Sequence, residues 1–165
     1  MKIKLVKFNK KFLTKRYISW LNDKKLMRFS EQRFKKHTLN SCKKYLEESQ
    51  KKKDLFYAIV DKSYERHVGN IYIKIDKLNN IGDIRILIGE PRKKYGFYAW
   101  MEAIKKLKKL KFRKITGGSI KTNKAMIKIF KKSNMKLEYT KKKYFKIKNN
   151  FYDLVGYCMF ESQKK

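Results

Sequence analysis

Phosphate-binding chemistry is written most plainly between Ile81 and Phe112, IGDIRILIGEPRKKYGFYAWMEAIKKLKKLKF. The run from Ile84 to Ile88 is apolar and β-branched, and Gly89-Glu90-Pro91 ends it. A basic turn follows, Arg92-Lys93-Lys94-Tyr95-Gly96, and then apolar residues recur at helical spacing. A strand, a basic glycine-containing turn and a helix, in that order, aim backbone N–H groups and the positive end of a helix dipole at one point. Taken alone, the pattern also fits an ordinary strand-to-helix turn with solvated lysines. Other reactive residues are sparse. His37 and His67 are the only histidines, and Cys42 and Cys158 the only cysteines. They show no metal-type or redox-type spacing and no Ser/His/Asp or Cys/His arrangement, so the expected chemistry needs no metal. Both cysteines read as reduced and packed.

The elements that must hold this turn follow from periodicity and punctuation. Alternation predicts a strand over Lys2 to Phe8. Thr14 is an N-cap for a helix with Tyr17, Ile18 and Leu21 on one face, broken at Asn22-Asp23. A short helix or turn holds Leu26, Met27 and Phe29, and a polar segment, Ser30 to Phe34, follows. Thr38 caps a helix from Leu39 to about Gln50. Strands are expected over Leu55 to Val60, His67 to Ile75 and Asp83 to Ile88, with Asp76 to Gly82 as a turn. The helix after Gly96 should bury Phe97, Trp100, Met101, Ile104 and Leu107. Lys114 to Ile120 reads as a strand, and Asn123 precedes a short helix with Ala125, Met126, Ile129 and Phe130 inward. A hairpin over Lys136 to Lys148 and Phe151 to Phe160 turns at Asn149-Asn150. With no repeat and no linker, residues 1–165 read as one domain of mixed α/β (α+β) class, one sheet flanked by helices.

Composition narrows the partners. Apolar content of 42% suits a packed core rather than a disordered tail. No apolar run can span a bilayer, and the N-terminus lacks a signal-peptide pattern, so the expected location is the cytoplasm and no membrane is involved. The net charge of +32 invites a nucleic-acid reading. Its makeup argues otherwise, because only Arg16, Arg28, Arg33, Arg66, Arg85, Arg92 and Arg113 are arginine and the lysines spread over the whole chain. Tyr144, Phe145, Phe151 and Tyr152 among lysines could stack bases, but they also alternate as sheet core would.

Four segments together resemble the GNAT superfamily of acetyl-CoA-dependent N-acetyltransferases, over about Ile3 to Phe160. They are Leu13-Thr14 through Trp20-Leu21-Asn22-Asp23, His67-Val68-Gly69-Asn70-Ile71, the Ile81–Phe112 stretch, and Asn123 to Ala125 with Ile129-Phe130-Lys131-Lys132-Ser133-Asn134-Met135. The first is similar to the branch of ribosomal-protein alanine and amino-sugar acetyltransferases. The resemblance implies an acyl-CoA N-acyltransferase-like fold with a mixed, mostly antiparallel central sheet. It implies acetyl-CoA as the donor, its pantetheine arm along Ile86, Leu87 and Ile88. Its pyrophosphate would sit at Arg92, Lys93, Lys94, Tyr95, Gly96 and Phe97, with Asn123 and Phe130 also at the cofactor. Lys94 stands where the family has a glycine, and the loop is shorter than the family's. A lysine fits there if its φ stays negative, and its ammonium could contact a phosphate in place of the backbone N–H.

Acetyl transfer to an amine needs a proton acceptor, polarisation of the thioester carbonyl and, where present, an acid for the leaving thiolate. The tyrosine the resemblance implies as acid is Phe130 here, and the glutamate it implies as base falls near Gly118. Asp83 is then the leading base, with Glu90 behind it, and Asn123 joins it for a cofactor or bound-water contact beside N-capping. The alternative for Asp83 is a strand-end carboxylate paired with Arg85. Gln32 and Arg33 would meet an anionic group of the acceptor. His37 and His67 read as surface or packed histidines. The acceptor implied is a primary amine, first an amino sugar or nucleotide-linked amino sugar, second a protein N-terminus or an aminoglycoside. A homodimer is compatible with this. The other readings are a catalytically degenerate coenzyme A-binding protein and a basic nucleic-acid-binding module.

Overall fold

A computed structural model describes residues 3–90 and 94–161. Seven strands form one sheet in the order β1-β2-β3-β4-β5-β7-β6. They are β1 (Ile3–Lys7), β2 (Leu55–Asp61), β3 (Arg66–Asp76), β4 (Ile81–Ile88), β5 (Lys114–Ile120), β6 (Lys136–Ile147) and β7 (Asn150–Phe160). All neighbours are antiparallel except β4 and β5. The helices are α1 (Lys15–Asn22), α2 (Leu39–Lys51), α3 (Tyr95–Lys109) and α4 (Lys124–Lys132). This is the mixed, mostly antiparallel sheet flanked by helices that the sequence implied.

Strand alternation sorts the core into two layers. One face packs Ile59, Ile71, Ile73, Ile84 and Ile115 against Trp100, Ala103, Ile104 and Leu107 of α3 and Met126 and Phe130 of α4. The other packs Phe56, Ala58 and Val60 against Tyr17 and Trp20 of α1 and Cys42 and Leu46 of α2. Three helices begin as their residues dictate, with Thr14, Thr38 and Asn123 accepting the N–H of Tyr17, Ser41 and Met126. Thr38 and Ser41 complete a reciprocal box.

Several boundaries and faces differ from the expectations. β4 starts at Ile81, because Ile81 and Gly82 pair with Lys114 and Ile115 across the sheet and shorten the turn. On α3 the buried stripe is Tyr95, Ala99, Trp100, Ala103, Ile104 and Leu107. Phe97 is only half-buried and Met101 is exposed, since alanines let the helix lie closer to the sheet than larger residues would. Ala125 is likewise exposed. The β6–β7 hairpin turns at Lys148-Asn149, with Lys148 at φ 53° and Ile147 paired to Asn150. Tyr144 and Phe151 are exposed rather than core, because β6 is the sheet's edge strand and reaches past the helices.

Candidate active site

The parallel pairing of β4 with β5 lasts only three residues, Ile81↔Lys114, Gly82↔Ile115 and Asp83↔Thr116. Beyond that vertex the strands diverge, β4 continuing to Ile88 and β5 to Ile120. The β5-facing edge of Ile86, Leu87 and Ile88 therefore has no ladder partner, while their other edge is held by Asn70, Gly69 and Ile71 of β3. Backbone groups left open at such a place need a ligand or water. The split also has a closed floor. The Trp100 ring rests on Gly117, where a Cβ would stand 2.6 Å from Cη2. Phe130 meets Trp100 edge-on at 5.3 Å and stacks on Tyr157 at 4.7 Å. Fully buried there, Phe130 closes the floor and presents no surface to the cleft. The Trp100 Nε1 is buried without a partner among the described residues.

Where β4 ends, α3 begins. Its N-cap is Lys94, which makes no side-chain cap bond, and the first turn holds no acidic residue. Among the described residues, the first backbone bond runs from the Tyr98 N–H to the Lys94 carbonyl, and the N–H groups of Tyr95, Gly96 and Phe97 meet no acceptor there. Lys94 sits at φ 62°, ψ 22°, in the left-handed region, so the condition of a negative φ for a lysine here is not met. This lysine adopts a conformation that favours glycine, and its side chain is exposed to solvent. Gly96 has a different reason. A Cβ on it would come within 3.2 Å of Ile129 Cδ1 and 3.6 Å of Ile88 Cγ1, so it brings the helix start close to α4. The Tyr95 hydroxyl donates to the buried Asp61 carboxylate, which with burial pushes its pKa up to about 12. Only the backbone of Tyr95 is free to meet a ligand. Arg92 and Lys93 lie outside the described residues. An open strand edge and a helix start with no side-chain cap suit a ligand with amide groups and phosphates.

Asp83 stands at the vertex, on the face that carries α1 and α2. Thr116 donates its hydroxyl to Oδ1 at 3.0 Å, and Arg85 Nε reaches Oδ2 at 3.2 Å. The pairing with Arg85 is real, yet the carboxylate is still about one-third exposed. Arg85 also lies near Tyr45 of α2 and opposite Tyr72 of β3, whose hydroxyl donates to Asp54 at 2.5 Å. On the far side, Tyr139 of β6 comes over the same face. Arg33 donates to the Ser30 carbonyl at 2.7 Å and, through Nη2, to the Lys146 carbonyl of β6 at 3.1 Å, with Phe34 stacked at 4.1 Å. The α1–α2 connection is thus tied to the edge strand beyond the split. Gln32 is half-buried beside it, its carbonyl within 3.2 Å of His37 Nε2.

The other candidates are occupied elsewhere. Glu90 is clamped by Arg66 at 2.6 Å and Arg16 at 3.4 Å, so it ties the end of β4 to β3 and α1 and does not serve as a free base. Asn123 spends its Oδ1 on capping α4. His37 exchanges backbone bonds with the Asn22 side chain and joins α1 to the start of α2. His67 is buried among Phe8, Phe12, Tyr17 and Trp20, and burial holds its pKa down to about 4. Burial raises both cysteine pKa values, so neither is an activated thiol. Among the described residues no group of three or more His, Cys, Asp or Glu could hold a metal, and no helix is long and apolar enough to cross a membrane. Sequence reasoning missed Tyr139 and Thr116. Neither carries a local signal, because both become relevant only through strand pairing.

This arrangement, a mixed sheet split between its parallel strands with a helix start at the open end, is the GNAT acetyltransferase fold. A GNAT-family acetyltransferase from Bacillus anthracis is similar at TM-score 0.82 and 17% identity, over 99% of this chain and 97% of that one. Spermidine N-acetyltransferase from Vibrio cholerae, in complex with CoA and spermine, gives TM-score 0.85 at 12% identity over 98% and 96%. The microcin C7 self-immunity acetyltransferase, in complex with acetyl-CoA and AMP, gives 0.80 at 18% identity over 97% and 93%. No family model matches the sequence, and no curated protein matches it.

Proposed function

We propose that residues 1–165 act as one acetyltransferase domain that moves an acetyl group from acetyl-CoA to a primary amine in a ternary complex. The observation that carries this is the β4–β5 split, whose ladder stops at Asp83 and Thr116 and leaves Ile86 to Ile88 open beside an uncapped helix start. The relatives of this fold determined with CoA or acetyl-CoA make the donor the natural ligand for those groups. Bound there, acetyl-CoA supplies an activated acyl group on a good leaving thiol. The chain's part is to bind and orient. Backbone groups of Ile86, Leu87 and Ile88 hold the pantetheine arm, and the start of α3 at Lys94, Tyr95, Gly96 and Phe97 takes the pyrophosphate, with Arg92 and Lys93 adjoining. Asp83 accepts the proton of the acceptor ammonium. We assign Asn123, beside its capping of α4, a contact to the cofactor or to bound water.

The acceptor we favour is an amino sugar, including a nucleotide-linked one. Tyr45, Tyr72 and Tyr139 line the α1–α2 face, and rings of this kind pack on sugar faces. Asp83 is paired with Arg85, and Glu138 with Lys114, so these two carboxylates have less negative charge to offer a polyamine. A protein N-terminus or an aminoglycoside stands second. The location that suits this chemistry is the cytoplasm.

The test is a thermal-shift titration with acetyl-CoA, followed by thiol release with a panel: glucosamine, a nucleotide-linked amino sugar, an N-terminal peptide, an aminoglycoside and spermidine. Stabilisation with turnover of a sugar amine is expected. No stabilisation at millimolar acetyl-CoA refutes the donor, and stabilisation with no turnover on the whole panel favours a coenzyme A-binding protein without activity, the reading that the missing acid at Phe130 keeps in play.

A further inference from the structure

Tyr139 lies where simple strand alternation would not put it. β6 pairs with β7 as Lys136↔Cys158 and Leu137↔Tyr157, and then as Tyr139↔Gly156. Glu138 is an extra residue, a bulge that opposes Gly156 together with Tyr139. In an unbroken ladder Tyr139 would share the face of Leu137, the α3–α4 side occupied by Tyr157 and Val155. The bulge turns Tyr139 over to the α1–α2 face, and the Glu138–Lys114 ion pair pins the bulge in place.

The ring then needs somewhere to lie. A Cβ on Gly156 would stand 2.2 Å from the Tyr139 ring, so the phenol lies flat across β7 only because that residue is glycine. Its hydroxyl ends 3.9 Å from where a Cβ on Gly118 would stand. Gly118 is exposed on β5 just past the last β4–β5 pair, at the mouth of the split. Desolvation and then the charge of Asp83 raise the Tyr139 pKa, which places the two groups within each other's field and keeps the phenol neutral. A bulge and two glycines converge on one side chain that remains 41% exposed, so burial of the ring does not account for them.

We propose that Tyr139 binds the acceptor: its hydroxyl and the Asp83 carboxylate form a pair at the mouth of the split that holds the acceptor amino group for attack. This rests on the acetyltransferase reading above. The ammonium donates one N–H to Asp83 and another to the Tyr139 oxygen. Asp83 takes the first proton and passes it to solvent. The freed lone pair forms the C–N bond as the thioester C–S bond breaks. The sulfur leaves with that electron pair as thiolate and takes up the second nitrogen proton, giving amide and free thiol. Tyr139 neither gains nor loses a proton and acts by placement.

Steady-state kinetics of Tyr139→Phe, with the amine that the wild type acetylates, test this. Loss of a hydrogen bond to a charged group predicts a rise of about tenfold in acceptor KM, with the KM for acetyl-CoA and the melting temperature near wild type. Gly156→Ala, which lifts the ring from its seat, should raise acceptor KM similarly. Combined with Tyr139→Phe it should add little further, because both changes remove one hydroxyl from one place. A Tyr139→Phe enzyme with wild-type acceptor KM, or fully additive effects in the double variant, overturns the proposal. If the wild type itself turns over no amine, this inference falls together with its parent, whereas an active wild type beside an indifferent Tyr139→Phe sinks this one alone.

Discussion

The two sides of the β4–β5 split are built by opposite strategies. The proposed donor side is almost continuous in sequence: the end of β4, a turn and the first residues of α3. The groups we assign to binding there are backbone groups, exposed because a ladder ends and the helix start has no side-chain cap. The proposed acceptor side is assembled from side chains on β4, β5 and β6, with Arg33 assigned to it from the α1–α2 connection. A backbone site tolerates change in the side chains around it, which is how a lysine can stand at Lys94. A side-chain site depends on the register of several strands and changes whenever one residue does.

The largest effect should come from the acceptor side. Asp83→Asn removes the proton acceptor while retaining shape, and kcat/KM for the amine should fall about a thousandfold with acetyl-CoA affinity intact. Equal losses in both would show that the two sides are not separable. Second is acid sensitivity confined to the α1–α2 layer. His67 has a pKa of about 4 in the fold against 6.5 when free. Between those values the unfolded chain binds a proton that the folded chain refuses. Stability from this group is therefore full above pH 6.5, falls as pH drops through that value, and levels off below 4, a loss on the order of 3 kcal/mol. Melting curves from pH 7 to 4.5 should show it, and His67→Gln should flatten that part of the profile. An unchanged slope in the variant would move the acid sensitivity to other groups.

Third, Arg33→Ala cuts the tie to Lys146 and should raise acceptor KM about threefold while leaving acetyl-CoA binding alone. Unchanged kinetics would take Arg33 out of the site. The last effect belongs to the donor side and is one of stability, not of turnover. Lys94→Gly relieves a left-handed lysine and should stabilise the protein by up to about 1 kcal/mol, read from the urea midpoint. A loss of stability instead would mean that the lysine side chain contributes more than its backbone costs.

Much of the donor side was legible because its signals are local. A β-branched run, Gly89-Glu90-Pro91 and a helical stripe after Gly96 announce strand, turn and helix in order. Thr14, Thr38 and Asn123 were readable as caps for the same reason, since a cap acts within three residues. The errors arose where a neighbour decides. Met101 and Ala125 have helical spacing that suits burial, but which face of a helix meets the sheet depends on how close alanines let it approach. Tyr144 and Phe151 alternate like core and are exposed, because β6 ended up at an edge. Glu90 looked like a carboxylate near a cleft, and only the arrival of Arg16 and Arg66 shows that it is a clamp.

The amino-acid sequence by itself determined the order of strands and helices, the caps and the basic turn at the end of β4, because each is set by residues a few positions apart. Tertiary structure alone decided that β4 and β5 part after Asp83 and Thr116, and that Phe130 closes a floor. It also decided that Tyr139 lies over Gly156 and Gly118 on the sheet face that carries Asp83. One unpaired residue, Glu138, reverses the side of the sheet on which Tyr139 falls, and which residue goes unpaired is settled by the fit of β6 against β7.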